Sequence, residues 1–186
     1  MSSHIRILRH RDRVATPWAN GGGITYEIAR WPEEPGDFDW RLSIAEVATE
    51  GPFSDYPGID RTLVLLSGQM RLSIDGVLSD MAHSESIAFP GESKVSAQLP
   101  CGPTMDFNVM SRRGRITAEV KVVAGPEVRV VPEPGSWGVA LVVDGIWNLG
   151  EGSEPLTPWD CALGAEPFAM RGQGLIAHVL LTGIPR

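Results

Sequence analysis

Arg61-Thr-Leu-Val-Leu-Leu-Ser-Gly-Gln-Met70-Arg-Leu-Ser-Ile-Asp-Gly-Val77 decides the fold class of this 186-residue chain. The apolar run Arg61–Leu66 ends in a turn, and Met70–Ile74 resumes with alternating character before Asp75-Gly76. Val, Ile and Leu on a period of two suit a half-buried strand. Asp-Gly between two such runs favours a type I′ hairpin, because glycine tolerates the positive φ that the turn needs.

The same unit recurs on either side. Upstream lie Thr25–Trp31 and Trp40–Val47; downstream lie Ile87–Phe89, Phe107–Met110, Thr117–Val123, Glu127–Val131, Val139–Val143 and Leu175–Thr182. Asp144-Gly145 repeats the hairpin device. Gly 21 and Pro 15 give the turn content that many short elements need and a helix bundle does not. No stretch has a helical period; Ile44–Glu50, the best candidate, reads as the tail of a strand. About ten strands at this spacing predict an all-β sandwich or barrel. The composition shifts near Arg112-Arg113-Gly114-Arg115. Leu63–Gly76 is echoed in Val139–Gly152, and Asp106–Ser111 in Ala177–Thr182, which suggests a duplicated barrel. The expected division is residues 1–115, carrying the polar constellations, and residues 116–186.

A net charge of −7 opposes a nucleic-acid or anionic-membrane partner, since phosphate binding needs a basic surface. No run approaches the ~20 apolar residues of a membrane span, and no signal peptide is visible, so a cytoplasmic protein is expected. Cys101 and Cys161 are far apart and form no CxxC or Cys-His cluster. His4, His10, His83 and His178 are not spaced for joint coordination, so no metal or other cofactor is expected. A Gly-x-Ser-x-Gly nucleophile elbow is also missing.

Four constellations carry polar chemistry. Pro17-Trp18-Ala19-Asn20-Gly21-Gly22-Gly23-Ile24-Thr25 is either a sharp bend entering a strand or a loop whose amides approach a ligand. In Trp40–Val47, alternation sets Trp40, Leu42 and Ile44 on one face and Arg41, Ser43 and Ala45 on the other. That second face is either solvated or the wall of a cavity. The loop from Gly51 delivers Arg61 to the start of an apolar strand, where a half-buried guanidinium needs an anion. The anion is a protein carboxylate (Asp60, Asp106 or Glu27) or that of a ligand. Asp106, Asn108 and Met110 share one strand face and either orient a ligand or pair with the arginines.

Taken together, these segments resemble the HutD/Ves family of cupin-like proteins. The resemblance rests on Trp18-Ala-Asn20-Gly21-Gly22-Gly23-Ile-Thr25, Glu27, Trp40-Arg41-Leu42-Ser43, Gly51-Pro52-Phe53-Ser54, Gly58-Ile-Asp60-Arg61 and Asp106-Phe107-Asn108, in order and in spacing. It implies a jelly-roll-type double cupin and a link to histidine utilisation, as a regulator or small-molecule binder. The stretch Leu65–Met70 is also similar to the cupin strand-turn that follows the metal-ligand set. On that likeness Arg61 stands near the place of the ligand glutamate and Ser54 to Tyr56 near the histidines. Lys94 and Val95 stand where a later histidine would be. A cation in place of an anionic ligand disfavours a divalent metal and favours a carboxylate.

The expected function is therefore a non-enzymatic binding module for a small carboxylate such as formyl- or formimino-glutamate. Arg41 and Arg61 are expected to pair with its carboxylates, and Asn20, Ser43, Asp106 and Asn108 to fix its other polar groups. Thr25 and Glu27 come from the same motif, and Trp18 and Trp40 are available as walls. A homodimer is compatible with this reading. Two alternatives remain: a metal-independent isomerase or hydrolase with Asp106 or Glu27 as general base, and a structural protein whose arginines and acids pair only with each other.

Overall fold

The computed structural model describes residues 5–150 and 152–184, so His4 and Glu151 lie outside the described residues. Among those described, every regular element is a strand apart from one 3-10 turn at His10–Asp12. No helix is long and apolar enough to cross a membrane. In chain order the strands are β1 (Arg6–Leu8), β2 (Ala15–Pro17), β3 (Gly23–Trp31), β4 (Trp40–Val47), β5 (Gly51–Pro52), β6 (Ile59–Ser67), β7 (Met70–Ile74) and β8 (Val77–Met81). They continue as β9 (Ser86–Pro90), β10 (Val95–Gln98), β11 (Thr104–Arg112), β12 (Ile116–Ala124), β13 (Glu127–Val130), β14 (Trp137–Asn148), β15 (Cys161–Gly164) and β16 (Phe168–Gly183).

Two compact units result. One is Val14–Arg113; the other joins the residues up to Arg13 with Gly114 onward. The split before Gly114 falls at the composition shift, but the start of the chain does not join the N-terminal half as sequence order implies. The reason is long-range: β1 pairs antiparallel with β15, from Arg6↔Leu163 to Leu8↔Cys161. Asp160 then accepts from Arg9 Nη1 at 2.9 Å and from the His10 backbone N–H at 2.8 Å.

Within Val14–Arg113, β2-β3-β4-β11-β6-β9 form one sheet and β5-β10-β7-β8 the other. The sheets meet across an apolar cluster of Leu63 and Leu65 (β6), Met70 and Leu72 (β7), Met81 (β8), Phe89 (β9), and Val95 and Ala97 (β10). Period-two alternation makes such a layer possible, and each large side chain buried in it contributes about 1.5–3 kcal/mol. Asp75 and Gly76 adopt φ of 49° and 86°, the paired positive values of a type I′ turn, so the β7–β8 hairpin forms as its Asp-Gly dictates.

The second unit carries β1-β15-β14-β16-β12, with β13 also paired to β16. Its interior is filled by Val130, Ala140, Val142, Trp147, Leu156, Met170 and Ile176 among others. Asp144-Gly145 is not a hairpin, contrary to the sequence reading. β14 runs unbroken through it, with a bulge between Val142 and Asp144. Gly145, at φ 84°, lies against β16, where a Cβ would come 1.8 Å from the Gln173 carbonyl oxygen. Close approach of two backbones, rather than a chain reversal, requires glycine there. The echo of Leu63–Gly76 in Val139–Gly152 therefore ends before the turn.

Candidate functional site

β11 lies between β4 and β6, and its register sets three rows of side chains on the inner face. Met110 stands between Arg41 and Arg61, Asn108 between Ser43 and Leu63, and Asp106 between Ala45 and Leu65. Directly opposed residues share a face, so the two arginines stand two strand spacings apart, roughly 10 Å between Cα atoms. The alternate residues of β4 go to the other face: Trp40 is 2% exposed there, with Leu42 and Ile44 fully buried. Trp40 is thus core and not a wall of the cavity, which corrects that part of the sequence reading.

Toward β6 the interior is apolar, through Leu63 and Leu65. Over β4 and β11 it is polar and encloses a cavity of about 330 Å³. Arg41, Arg61, Asn20, Ser43, Asp106, Asn108, Trp18 and Thr25 all line it. Glu27 does not. A bulge between Glu27 and Ala29 places Glu27 opposite Ser43, where its carboxylate accepts from Arg41 Nε at 2.6 Å. Arg41 therefore has a protein counter-ion.

The glycine loop is the β2–β3 hairpin turn. Trp18 O accepts from Gly21 N at 3.0 Å, and Asn20 Oδ1 from Gly22 N at 2.9 Å, so these amides are engaged within the loop. Gly23 is required by crowding, since a Cβ there would lie 2.2 Å from the Glu46 carbonyl oxygen. The loop presents the side chains of Trp18 and Asn20 to the cavity, with Trp18 Nε1 donating to Thr25 Oγ1 at 2.8 Å.

Arg61 is 7% exposed. Its Nη2 donates to Asn108 Oδ1 at 2.9 Å, its Nη1 reaches Ser54 O at 3.4 Å, and its Nε has no partner among the described residues. The rings of Phe53, Tyr56 and Phe89 surround it, with centroids 5.1–5.6 Å from Cζ. Such contacts favour a cation but do not neutralise it. Among the described residues no carboxylate forms an ion pair with it. Burial pushes the Arg61 pKa down, Arg41 adds to that, and Asp106 and Tyr56 oppose it. Asn108 Nδ2 donates in turn to Asp106 Oδ1, while Asp106 Oδ2 has no partner. Burial pushes the Asp106 carboxyl up to about 7, against the pull of Arg61 and the Asn108 bond.

Ser54 and Tyr56, placed near the cupin histidines by the resemblance, do line the cavity. Lys94 and Val95 do not: Lys94 is exposed, with its backbone N–H on Asp75 Oδ1, and Val95 joins the apolar cluster. Among the described residues, no group of three or more His, Cys, Asp and Glu gathers as a metal centre would require. Sequence reasoning did not name Phe53 and Tyr56 as ring neighbours of Arg61, nor Thr16 and Pro52 as lining. The signal for the first two was present, as two aromatics set among turn formers just before an arginine.

The HutD family model matches residues 10–178. Protein Ves of Escherichia fergusonii is 41% identical over 138 residues, covering 72% of this chain and 70% of that protein. An uncharacterised 21.2 kDa protein in the hutC 3′ region of Pseudomonas putida is 41% identical over 122 residues, 64% of each. The structure of HutD from Pseudomonas fluorescens SBW25 (formate condition) superposes with a TM-score of 0.85 at 30% identity, covering 98% of this chain and 100% of that one.

Proposed function

This chain belongs to the HutD family, and from that premise we propose that its Val14–Arg113 unit binds a small carboxylate such as formyl- or formimino-glutamate. In this reading it acts as a cytoplasmic, non-enzymatic regulator in histidine utilisation, and the two units are a pair of cupin-type barrels. The observation that carries it is Arg61: a buried guanidinium lining a cavity, whose Nε has no hydrogen-bond partner and which forms no ion pair with a carboxylate among the described residues. A ligand carboxylate supplies what the protein leaves out. Arg41, whose Nε is held by Glu27, takes a second carboxylate through its Nη donors. The hutC 3′ region named for the Pseudomonas putida relative supports the histidine-utilisation context.

A cavity of about 330 Å³ is at the small end of the about 300–1,000 Å³ usual for small-molecule sites, which suits a metabolite. Each arginine–carboxylate hydrogen bond contributes about 1.5–3 kcal/mol net. Micromolar affinity needs about 8 kcal/mol, so burial against Trp18, Phe53 and Tyr56 must supply the rest.

Thermal unfolding with formate, acetate, succinate, glutamate and formyl-glutamate tests the reading. At least one is expected to raise the Tm with concentration, as linkage requires, and the rise is expected to vanish in Arg61→Met. No response to any of them, with Arg61→Met strongly destabilised, would leave Arg61 a structural residue. The second reading, a metal-independent enzyme, draws on Asp106, whose carboxyl near neutrality stands by Arg61 as a general base stands by an oxyanion stabiliser. Turnover of a bound acid, lost in Asp106→Asn, would promote it.

A further inference from the structure

We infer that the cavity takes up its carboxylate together with one proton, which lands on Asp106 Oδ2. This rests on the carboxylate reading above and concerns what else must change when the anion arrives.

Among the described residues, four charged side chains line the cavity or pair with one that does. The charged groups are Arg61 from β6, Arg41 from β4, its partner Glu27 from β3, and Asp106 from β11. The Tyr56 phenol comes from the loop before β6, and among the described residues neither His nor Lys lines the cavity. Arg41 and Glu27 cancel. Arg61 and Asp106 also cancel for as long as Asp106 is ionised. A carboxylate arriving at Arg61 then leaves two anions sharing one guanidinium, where Arg61 is 7% and Asp106 1% exposed. Like charges in such a place do not both stay ionised; one group takes a proton.

Geometry selects Asp106 for that proton. Its Oδ1 is held by Asn108 Nδ2, and its Oδ2 has no partner. It makes no ion pair with Arg61, because Asn108 stands between them, accepting from Arg61 and donating to Asp106. Asp106 therefore takes no hydrogen bond directly from the guanidinium. Burial already holds this carboxyl near neutrality, so uptake needs little further shift. Once protonated, Oδ2 is a donor where an acceptor without a partner stood.

The bound anion raises the Asp106 pKa further above about 7. Between the free and bound values, affinity falls as pH rises, by at most about tenfold per pH unit. Below the free value Asp106 is already protonated and affinity is flat, down to the ligand's own titration near about pH 4.

Calorimetric titration of the full chain with formyl-glutamate, and with formate as the minimal probe, tests this in MOPS and in Tris. The two buffers differ in ionisation heat, so the difference counts protons. Uptake of up to about one proton per ligand is expected, with the Kd weakening several-fold between about pH 7 and about pH 9. Asp106→Asn keeps an acceptor toward Asn108 and a donor in place of the protonated oxygen, so it is expected to lose both the uptake and the pH dependence. Binding to the wild type with no proton exchange and a flat Kd overturns the inference, and so does an Asp106→Asn variant that keeps the wild-type pH profile. The wild-type comparison of buffers decides alone if the variant does not fold. Failure of both probes to bind at any pH overturns the carboxylate reading itself, whereas binding without proton uptake removes only this step.

Discussion

Replacing Arg61 by Met removes the buried guanidinium while keeping a flexible, polarizable side chain against Phe53, Tyr56 and Phe89. The change loses the 2.9 Å bond to Asn108, which accounts for about 1.5–3 kcal/mol. The Ser54 contact is long at 3.4 Å and adds little. Three cation–ring contacts go, at about 0.5–1 kcal/mol each, but sulfur–aromatic contacts of about 0.3–1.5 kcal/mol replace part of them. Against these losses stands the release of a buried charge that no carboxylate bonds directly, an effective penalty of several kcal/mol. The terms nearly cancel, so ligand-free Arg61→Met is expected within about 2 kcal/mol of the wild type. Urea unfolding at neutral pH reads this from the midpoint at unchanged slope. A loss above about 4 kcal/mol would instead make Arg61 one half of a directly bonded buried ion pair, which the structure does not contain.

Asp106 has a folded pKa of about 7 against about 3.9 unfolded, so its stabilising contribution is full below about pH 4 and lost as pH rises through about 7. Asp106→Asn is therefore expected to gain on the wild type across that window and to hold the gain above it. The gain is on the order of 4 kcal/mol at most, read as the difference in Tm at acid and at mildly alkaline pH. Gly23→Ala drives a Cβ to 2.2 Å from Glu46 O and is expected to cost several kcal/mol; Gly21→Ala, with open space but φ 71°, about 1 kcal/mol. Paired thermal melts compare them, and equal losses would contradict the crowding argument. In the other unit, Asp160→Ala removes bonds from Arg9, His10 N–H and Thr157 N–H and is expected to cost about 3 kcal/mol at neutral pH. Burial raises the Asp160 pKa, but those bonds outweigh it and hold it below its ordinary value. The deficit should therefore shrink as pH falls through that lowered value, which acid-range unfolding measures.

Much of the fold was legible because β-strands announce themselves locally. Met70–Ile74 and Trp40–Val47 have the bounds that their apolar alternation predicts, and Asp75-Gly76 turns as its φ values require. Asp144-Gly145 has the same two letters and a different task, since what surrounds it is β16 and not solvent. The short strand β1 gave no such signal, because its strand character comes from β15, more than a hundred residues away. The candidate site was legible in its residue types: Trp18, Asn20, Thr25, Arg41, Ser43, Arg61, Asp106 and Asn108 were singled out from motif and alternation, and they meet in one cavity.

Sequence by itself determined that the chain is all-β, which residues alternate together on each strand, and that its motifs are those of the HutD family. It left open whether Arg41 and Arg61 point to water, to each other's acids or to a ligand. Which protein groups they meet was set by the tertiary structure, and set differently for the two. A bulge in β3 gives Arg41 the carboxylate of Glu27, whereas the β11 register puts an amide, Asn108, where Arg61 would meet Asp106. The physical reason is range. Alternation within a strand is a property of neighbours in the chain, but a charge finds its partner through the register of strands brought together from β3, β4, β6 and β11.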